Sequence, residues 1–292
     1  VLKELSKEFK ECENIIILPA HNGIRIFVPL CRLINCHYHR KLHYVVIGGW
    51  LADFLKKRSE LEKQLKKFDV IYVETSTMQH TLEKMGFNNV IIMPNFKDVH
   101  VLTENAPKIF NPKIKFCTFS RVMKKKGIED AIEAIKYINA ISNINKYELD
   151  IYGQIEEGEN EWFEKVMDKC PEFIRYKGCV PYDKSVEVLK DYFALLFPTR
   201  FYTEGIPGTI IDAYAAGIPV IAAKWESFSD VIEEGITGWG YEFGNVDDLK
   251  SKLNMIIELE QRKLDVIRKN CLNKVKIFMP DYGISILLQR LK

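Results

Sequence analysis

Short runs of apolar residues recur along the chain and alternate with stretches of helical periodicity. Ten of these runs predict strands, at residues 15–19, 43–47, 70–73, 90–93, 114–119, 148–152, 173–176, 193–197, 218–222 and 237–241. Helical patterns lie between them, for example over 127–140 and 246–259. Unbroken apolar strands that alternate with helices are typical of parallel sheets covered on both faces. The pattern therefore predicts an α/β fold.

The predicted strands fall into two groups, which are separated by a segment without clear periodicity. Residues 94–113 contain three prolines, and we interpret this segment as a linker. Four predicted strands precede it and six follow it. We therefore predict two doubly wound α/β domains, at residues 1–98 and 99–279, and we expect the tail 280–292 to pack back on the first.

Composition narrows the class of protein. A chain of 292 residues with 47% hydrophobic content can build a core for roughly two domains. The formal net charge of +2 gives no global field that would attract nucleic acid. No apolar run approaches the roughly 18 residues of a membrane-spanning helix, and no secretory signal is visible. The seven scattered cysteines indicate reduced thiols, and we expect a cytoplasmic protein.

The histidines and cysteines concentrated in CHYHRKLH, residues 36–43, resemble a metal-binding cluster in composition only. Their spacing fits no standard zinc pattern, and the chain offers no second group of ligands. We therefore predict no metal site.

Two acids lie on the loop and helix between the predicted strands 193–197 and 218–222. In an open α/β sheet, ligands bind at the carboxyl ends of strands, where Glu204 follows 193–197. Gly205 and Gly208 allow the backbone to approach a ligand, and a helix starting near Gly205 would direct its N–H groups towards a phosphate. Asp212 would lie about two turns along that helix. The two acids could grip a sugar and a ribose at opposite ends of a diphosphate. The alternatives are a Glu204 that only offsets the helix dipole and an Asp212 that is a solvated helix acid.

Cations follow the predicted strand 114–119. Arg121 leaves the strand end, and Lys126 precedes Gly127 at the start of the next helix. Two cations beside a helix N-terminus suit a diphosphate. We interpret the neighbouring Lys124 and Lys125 as solvated loop residues.

The first domain offers candidates for contact with an acceptor. His21 and Asn22, in AHNG, follow one predicted strand, and Gly48, Gly49 and Trp50 follow the next. The face of a Trp side chain suits a sugar ring. The alternative is that both segments are ordinary turns and that Trp50 packs in the fold.

Positive charge is concentrated over residues 31–67, which hold nine Lys and Arg against three acids. Residues 54–68 predict one basic, partly amphipathic helix. A solvated helix face is one interpretation, and peripheral contact with an anionic membrane is the other.

The segment EGIPGTIIDAYAAGIPVIA, residues 204–222, resembles the donor-site segment of the group 1 retaining glycosyltransferases. SRVMKKKG at 120–127, DIYGQ at 150–154 and GITGWGYEFGNVDDL at 235–249 are similar to further motifs of that family. The resemblance covers residues 94–275 well and the first 93 residues loosely. It implies the GT-B fold, in which two Rossmann-like domains face a central cleft.

The resemblance also implies a reaction, in which a sugar moves with retention from a nucleotide-diphosphate sugar to a carbohydrate or lipid-linked carbohydrate acceptor. The resemblance implies a role in surface polysaccharide or glycolipid synthesis, with no cofactor, and such enzymes usually need no metal. Arg121 and Lys126 would neutralise the departing diphosphate, and Glu204 would bond the donor sugar. The implied donor-binding residues are Gly205, Ile206, Pro207 and Gly208 around the phosphate and sugar, Asp212 at the ribose, and Cys179 and Val180 at the base.

Departures from the family pattern leave alternatives open. The family has Glu where this chain has Asp212, and Gly where it has Ser120. Its Gly-rich loop and its histidine have no secure match in the first half, which suggests that the first domain is incomplete. A nucleotide-sugar epimerase and a non-catalytic nucleotide-sugar-binding module remain alternatives. A NAD-linked enzyme is disfavoured because no G-x-G-x-x-G follows a strand.

Overall fold

The structure is a computed structural model, which describes residues 2–103, 114–142 and 146–292. The contacts between residues divide the chain into two units. The first unit comprises Val1–Asn95, Thr203–Ile206 and Asp281–Lys292, and the second comprises Phe96–Tyr202 and Pro207–Pro280.

The first unit contains a parallel sheet of four strands in the order β1-β2-β3-β4. Its strands are β1 (Asn14–Ile17), β2 (Lys41–Val45), β3 (Val70–Val73) and β4 (Val90–Ile92). Its helices are α1 (Leu2–Glu11), α2 (His21–Tyr38), α3 (Leu51–Leu55), α4 (Ser59–Leu65) and α5 (Ser76–Lys84). The sheet and these helices share one apolar core, which includes Phe9, Ile24, Tyr44 and Ile71.

The C-terminal residues also belong to the first unit. The Asn14 side-chain amide donates to the Leu291 carbonyl at 3.1 Å, and the Lys41 ammonium donates to the Lys292 carbonyl at 2.8 Å. Ile286 and Leu287 pack beside Tyr72 of β3. Ile286 and Leu287 lie in the last helix, α13 (Pro280–Leu288), and Leu291 and Lys292 follow this helix.

The second unit contains a parallel sheet of six strands in the order β10-β9-β8-β5-β6-β7. Its strands are β5 (Ile114–Phe119), β6 (Tyr147–Tyr152), β7 (Ile174–Gly178), β8 (Ala194–Phe197), β9 (Val220–Ala223) and β10 (Gly238–Tyr241). Its helices are α6 (Ile128–Ser142), α7 (Asn160–Met167), α8 (Ser185–Leu189), α9 (Gly208–Ala215), α10 (Phe228–Val231), α11 (Val246–Ile256) and α12 (Gln261–Lys274). Every residue of β6, β8, β9 and β10 is buried, which explains the unbroken apolar sequences of β8 and β9. The two acids of β6, Glu148 and Asp150, are both bonded to the Arg175 guanidinium.

The structure confirms the predicted α/β class with two parallel sheets. All ten predicted strands are present, and their ends differ from the prediction by no more than two residues. Of the predicted linker, residues 104–113 lie outside the described residues, and 94–103 form neither helix nor strand.

Two local predictions were wrong. The helix expected to start near Gly205 begins at Gly208, because the residue before a proline disfavours helical geometry and Pro207 is itself extended. Residues 54–68 form two short helices rather than one, because Arg58 leaves helical geometry and donates through its guanidinium to the Phe54 carbonyl at 2.6 Å. His21 and Asn22 lie in the first turn of α2, so the alternative that AHNG is an ordinary turn does not hold for these two residues. None of the helices within the described ranges is long and apolar enough to cross a lipid bilayer.

Candidate functional site

Strand order reverses in the second unit between β5 and β8, which lie side by side and run parallel. Ligands in open α/β sheets bind at such switch points, beyond the carboxyl ends of the strands. The loop after β5 and the loop after β8 are in direct backbone contact. The Arg200 N–H donates to the Lys125 carbonyl at 2.9 Å. Gly127 has a φ of +66°, and a Cβ there would overlap the Pro198 carbonyl oxygen. The two loops therefore require a glycine at this position.

The cations of this switch point are exposed or partly exposed. Arg121 is exposed, and its guanidinium donates to Glu156 at 2.9 Å. Lys126 is half-buried, with its ammonium 5.4 Å from the ring centroid of Phe197 and 5.1 Å from that of Phe201. Both residues follow β5, as the sequence predicted. The exposed Lys124 and Lys125 precede Lys126 in one turn of 3₁₀ helix.

A buried carboxylate that the sequence analysis missed joins the same two loops. The Arg200 guanidinium donates to both carboxylate oxygens of Asp130, at 2.5 and 3.1 Å. Asp130 is buried in the first turn of α6, whereas Arg200 follows β8. A two-point Arg–carboxylate bond of this kind fixes orientation as well as distance. The sequence signal that could have predicted this pair is Arg200, in the tripeptide PTR that directly follows a buried strand.

Asp212 lies in the second turn of α9 and is buried. The Lys97 ammonium donates to both of its carboxylate oxygens at 2.7 Å, and Ser185 also bonds the carboxylate. Burial raises the pKa of Asp212, while the bonds from Lys97 and Ser185 oppose the rise. In the structure Asp212 is thus one half of a buried ion pair, and not a solvated helix acid. Its contact with a ribose remains a proposal.

A cavity of about 550 Å³ lies in the second unit near this pair. It is lined by residues 98–100, by Leu102 and by 182–187, a set that includes Ser185. Cys179 and Val180, the predicted base contacts, follow the edge strand β7. Cys179 is exposed and Val180 is half-buried.

The segment that carries Glu204 contacts a second carboxylate that the sequence analysis missed. Glu74 directly follows β3 and is 5% exposed. Its Oε1 accepts the Gly48 N–H at 2.7 Å, and its Oε2 accepts the Ile206 N–H at 2.5 Å. Burial raises the pKa of Glu74, the two N–H bonds lower it, and the charge of Glu204 raises it further. An acid placed immediately after a fully buried strand was the signal in the sequence.

The backbone from Gly205 to Gly208 differs from the predicted phosphate cradle. The Ile206 N–H is bonded to Glu74 rather than available to a ligand, which corrects that part of the prediction. A Cβ on Gly205 would overlap the Glu74 carboxylate. Pro207 has no N–H and caps α9, whereas Gly208 begins this helix with open space at its Cβ position.

The acceptor candidates of the first unit include a stacked aromatic pair. The rings of His21 and Trp50 lie 3.9 Å apart at 28°, and Phe54 contacts both edge-on. The Trp50 Nε1–H donates to the Ile47 carbonyl at 2.7 Å. Asn22 is exposed beside His21. His21 and Trp50 thus lie together, as candidates for contact with a sugar ring, and Asn22 is next to His21 in the sequence.

The residues of 36–43 do not form a cluster of metal ligands in the structure. His43 is buried, with Nδ1 3.2 Å from the Tyr72 hydroxyl and Nε2 3.0 Å from Asn14 Oδ1. Cys36, His37 and His39 are exposed. Among the residues that the structure describes, no three His, Cys, Asp or Glu side chains are grouped to hold a metal ion.

Comparisons with known proteins identify relatives of the chain. Residues 102–272 match the sequence profile of the family described as glycosyl transferases group 1. The amylovoran biosynthesis glycosyltransferase AmsK of Erwinia amylovora is 24% identical, over 73% of this chain and 54% of its own length. The capsular polysaccharide biosynthesis glycosyltransferase CapM of Staphylococcus aureus is 26% identical, over 87% of this chain and 79% of its own. The chain thus spans about half the length of AmsK.

Solved structures resemble the whole chain. HepE of Anabaena, in complex with UDP, superimposes with a TM-score of 0.79 at 15% identity, over 99% of this chain and 81% of HepE. TarM of Staphylococcus aureus gives a TM-score of 0.77 at 19% identity, over 100% of this chain and 57% of TarM. The likeness shows that the two parallel-sheet units have the GT-B fold.

Proposed function

The chain belongs to the group 1 glycosyl transferases, and we propose that it transfers a sugar, with retention, from a nucleotide-diphosphate sugar to a hydroxyl of a carbohydrate or lipid-linked carbohydrate. The observation that carries the proposal is the pair of cations, Arg121 and Lys126, after β5 at the switch point of the second sheet. The process in which it acts is the synthesis of a surface polysaccharide. The names of AmsK and CapM, which concern amylovoran and capsular polysaccharide, support this assignment.

The leaving group of such a transfer is a nucleoside diphosphate, which gains negative charge as the glycosidic bond breaks. Fixed cations placed where that charge develops lower the barrier without any reorganisation at the moment of reaction. Arg121 and Lys126 perform this role in our proposal. The direct contact between the loops after β5 and β8 supports it, because it fixes the backbone around Lys126.

Glu204 bonds hydroxyls of the donor sugar in the proposal, and the first turn of α9 at Gly208 meets a phosphate. A helix N-terminus favours an anion through its free N–H groups and its dipole. Asp212 and the cavity beside Ser185 are the proposed region for the nucleoside. The UDP in the HepE complex makes a uridine nucleotide the first donor to test.

The acceptor side of the proposal rests on the stacked His21 and Trp50, whose faces suit a sugar ring. The exposed lysines of residues 54–68, such as Lys57 and Lys67, supply a basic surface for contact with an anionic membrane. A lipid-linked acceptor would lie at such a surface. We therefore place the protein in the cytoplasm, at the inner face of the membrane.

The test is incubation of the protein with UDP-, GDP- and ADP-linked sugars, with and without carbohydrate acceptors, followed by chromatography of the nucleotides. Release of a nucleoside diphosphate that increases with acceptor supports transfer. Conversion into a different nucleotide sugar would instead identify an epimerase. Binding without either product would identify a non-catalytic module. The anomeric configuration of the product, read by NMR, decides between retention and inversion.

A further inference from the structure

We propose that Glu74 is a positioning residue for sugar transfer, which holds the loop Thr203–Ile206 that carries Glu204. It accepts the Ile206 N–H after Glu204, and it accepts the N–H of Gly48, whose neighbour Gly49 bonds Thr203 before Glu204. The proposal rests on the proposed function, because Glu204 is its donor-sugar contact. Glu74 lies outside the motifs that identify the family, and it follows β3 of the first unit, about 130 residues before the loop in the sequence.

The loop is held at both of its ends. The Gly49 N–H donates to the Thr203 carbonyl at 3.1 Å, directly before Glu204. Glu74 accepts the Ile206 N–H at 2.5 Å, two residues after it. The Asn95 side-chain amide donates to the Ile206 carbonyl at 2.9 Å. Both polar groups of the Ile206 backbone are therefore bonded, and Glu204 lies between two anchored residues.

The same carboxylate also anchors the backbone beside Trp50. Its other oxygen accepts the Gly48 N–H at 2.7 Å. Glu74 thus joins the loop of the proposed donor contact, Glu204, to the loop of a proposed acceptor contact, Trp50. A change at this single side chain would displace both contacts.

The two backbone donors match a carboxylate, whose two oxygens are both acceptors. A buried charge is costly unless it is hydrogen-bonded, and Glu74 is 5% exposed with two backbone donors. A glutamine has the same shape but presents one carbonyl and one NH₂ group, so one of the two backbone donors would face another donor. The substitution Glu74→Gln therefore breaks one anchor while it preserves volume.

Two glycines, Gly205 and Gly49, allow the loop Thr203–Ile206 to pack closely against the residues that hold it. A Cβ on Gly205 would overlap the Glu74 carboxylate, and a Cβ on Gly49 would come within 2.6 Å of the Thr203 carbonyl oxygen. The loop therefore lies at the closest approach that its backbone allows. A displacement of about 1 Å at a reacting group can cost on the order of 100-fold in rate.

The first experiment measures how well the backbone N–H groups of the loop are protected from exchange, and it does not require enzyme activity. Hydrogen exchange of the peptide that covers residues 203–206 should be about tenfold faster in Glu74→Gln than in the wild-type protein, as expected for the loss of one bond to a charged acceptor. The control is Asp69→Asn. Asp69 precedes β3 at its opposite end and accepts the Leu42 N–H at 2.7 Å. The substitution Asp69→Asn should therefore leave the hydrogen exchange of residues 203–206 unchanged.

The second experiment measures transfer. Glu74→Gln should lower kcat about 100-fold, with little change in KM for the nucleotide sugar, whereas Asp69→Asn should retain the wild-type kcat. A variant Gly205→Ala, which keeps the carboxylate but displaces the loop, should show the same loss of kcat. It serves as the test if Glu74→Gln does not fold.

Unchanged exchange of 203–206 in the folded Glu74→Gln protein would overturn the proposal, and so would faster exchange with a wild-type kcat. An equal loss of kcat in Asp69→Asn would also overturn it, because the effect would then follow stability alone. If the wild-type protein transfers no sugar from any donor, the proposed function fails, while the exchange experiment still confirms or overturns the anchoring of the loop.

Discussion

The ammonium of Lys97 lies 2.7 Å from both carboxylate oxygens of Asp212, whose side chain is 4% exposed. The two residues are 115 positions apart in the sequence, and their pairing joins the segment that opens the second unit to helix α9. The pair determines the charge environment of the residue that we propose as the ribose contact.

Lys97→Met should destabilise the protein by about 3 kcal/mol at neutral pH, because it leaves a buried carboxylate without its counter-ion. Burial already raises the pKa of Asp212, and the loss of Lys97 should raise it further. The native protein then binds its proton at a higher pH than the unfolded chain does, so the destabilisation should be smaller at pH 5 than at pH 7.5. Urea unfolding at both pH values measures the difference.

The control for this prediction is Lys56→Met, which removes an ion pair of similar length. Lys56 lies 2.6 Å from Asp53, but both side chains are more than half exposed. Exposed pairs contribute little to stability. Equal destabilisation by the two substitutions would contradict the importance that we give to the burial of Asp212.

Lys126→Met should lower the rate of sugar transfer about 100-fold, because it removes a cation from the place where the leaving diphosphate gains charge. Lys125→Met is the matched control, since Lys125 is the exposed neighbour in the same 3₁₀ turn. Steady-state rates with a saturating nucleotide sugar provide the measurement. If both variants retained the wild-type rate, Lys126 would have no role in departure of the diphosphate.

Chelation should leave transfer intact, because Arg121 and Lys126 supply the positive charge that a divalent cation would otherwise provide. The measurement is the transfer rate in excess EDTA, compared with the rate in EDTA plus Mg²⁺ or Mn²⁺. A rate that falls in EDTA and returns with either metal would refute a metal-independent reaction.

The first unit should lose stability as the pH falls below about 6.5, the ordinary pKa of histidine. Burial lowers the pKa of His43 in the native protein. The unfolded chain therefore takes up a proton at a pH where the folded chain does not, and the difference favours unfolding at low pH. Amide exchange of the peptides that cover β1 and β2 should accelerate between pH 7 and pH 5.5, after correction for the intrinsic pH dependence of exchange.

His43→Gln should remove most of this acceleration, whereas His37→Gln should retain it, because His37 is exposed on α2. An unaltered pH dependence in His43→Gln would assign the effect to another group. Such a result would leave the hydrogen bonds of His43 to Tyr72 and Asn14 as purely structural.

The elements of the fold could be predicted because their signal is local. A strand buried on both faces, such as β8 or β9, has an unbroken apolar sequence that is visible without any knowledge of its neighbours. The error at the start of α9 was also local. Pro207 disfavours helical geometry at the residue before it, and this constraint was overlooked in favour of the glycines.

The parts of the site that the sequence did not predict depend on distant partners. Glu74 acquires its role from Ile206, and Asp212 is paired with Lys97, which lies in a segment without periodicity. Neither pairing follows from spacing along the chain, because each forms only after the sheets have assembled. By contrast, the positions of Arg121 and Lys126 could be predicted, since both lie in the loop after β5, a strand whose carboxyl end could be identified.

The position of Thr203–Ile206 limits how this protein can be recombined with its relatives. The tetrapeptide lies within the segment 102–272 that matches the family, yet its contacts place it in the first unit. A chimera that takes residues 96–280 from another family member would therefore import four residues that have to fit this chain's own Glu74 and Gly49. The six positions Thr203–Ile206, Glu74 and Gly49 therefore have to be exchanged together, although they lie far apart in the sequence.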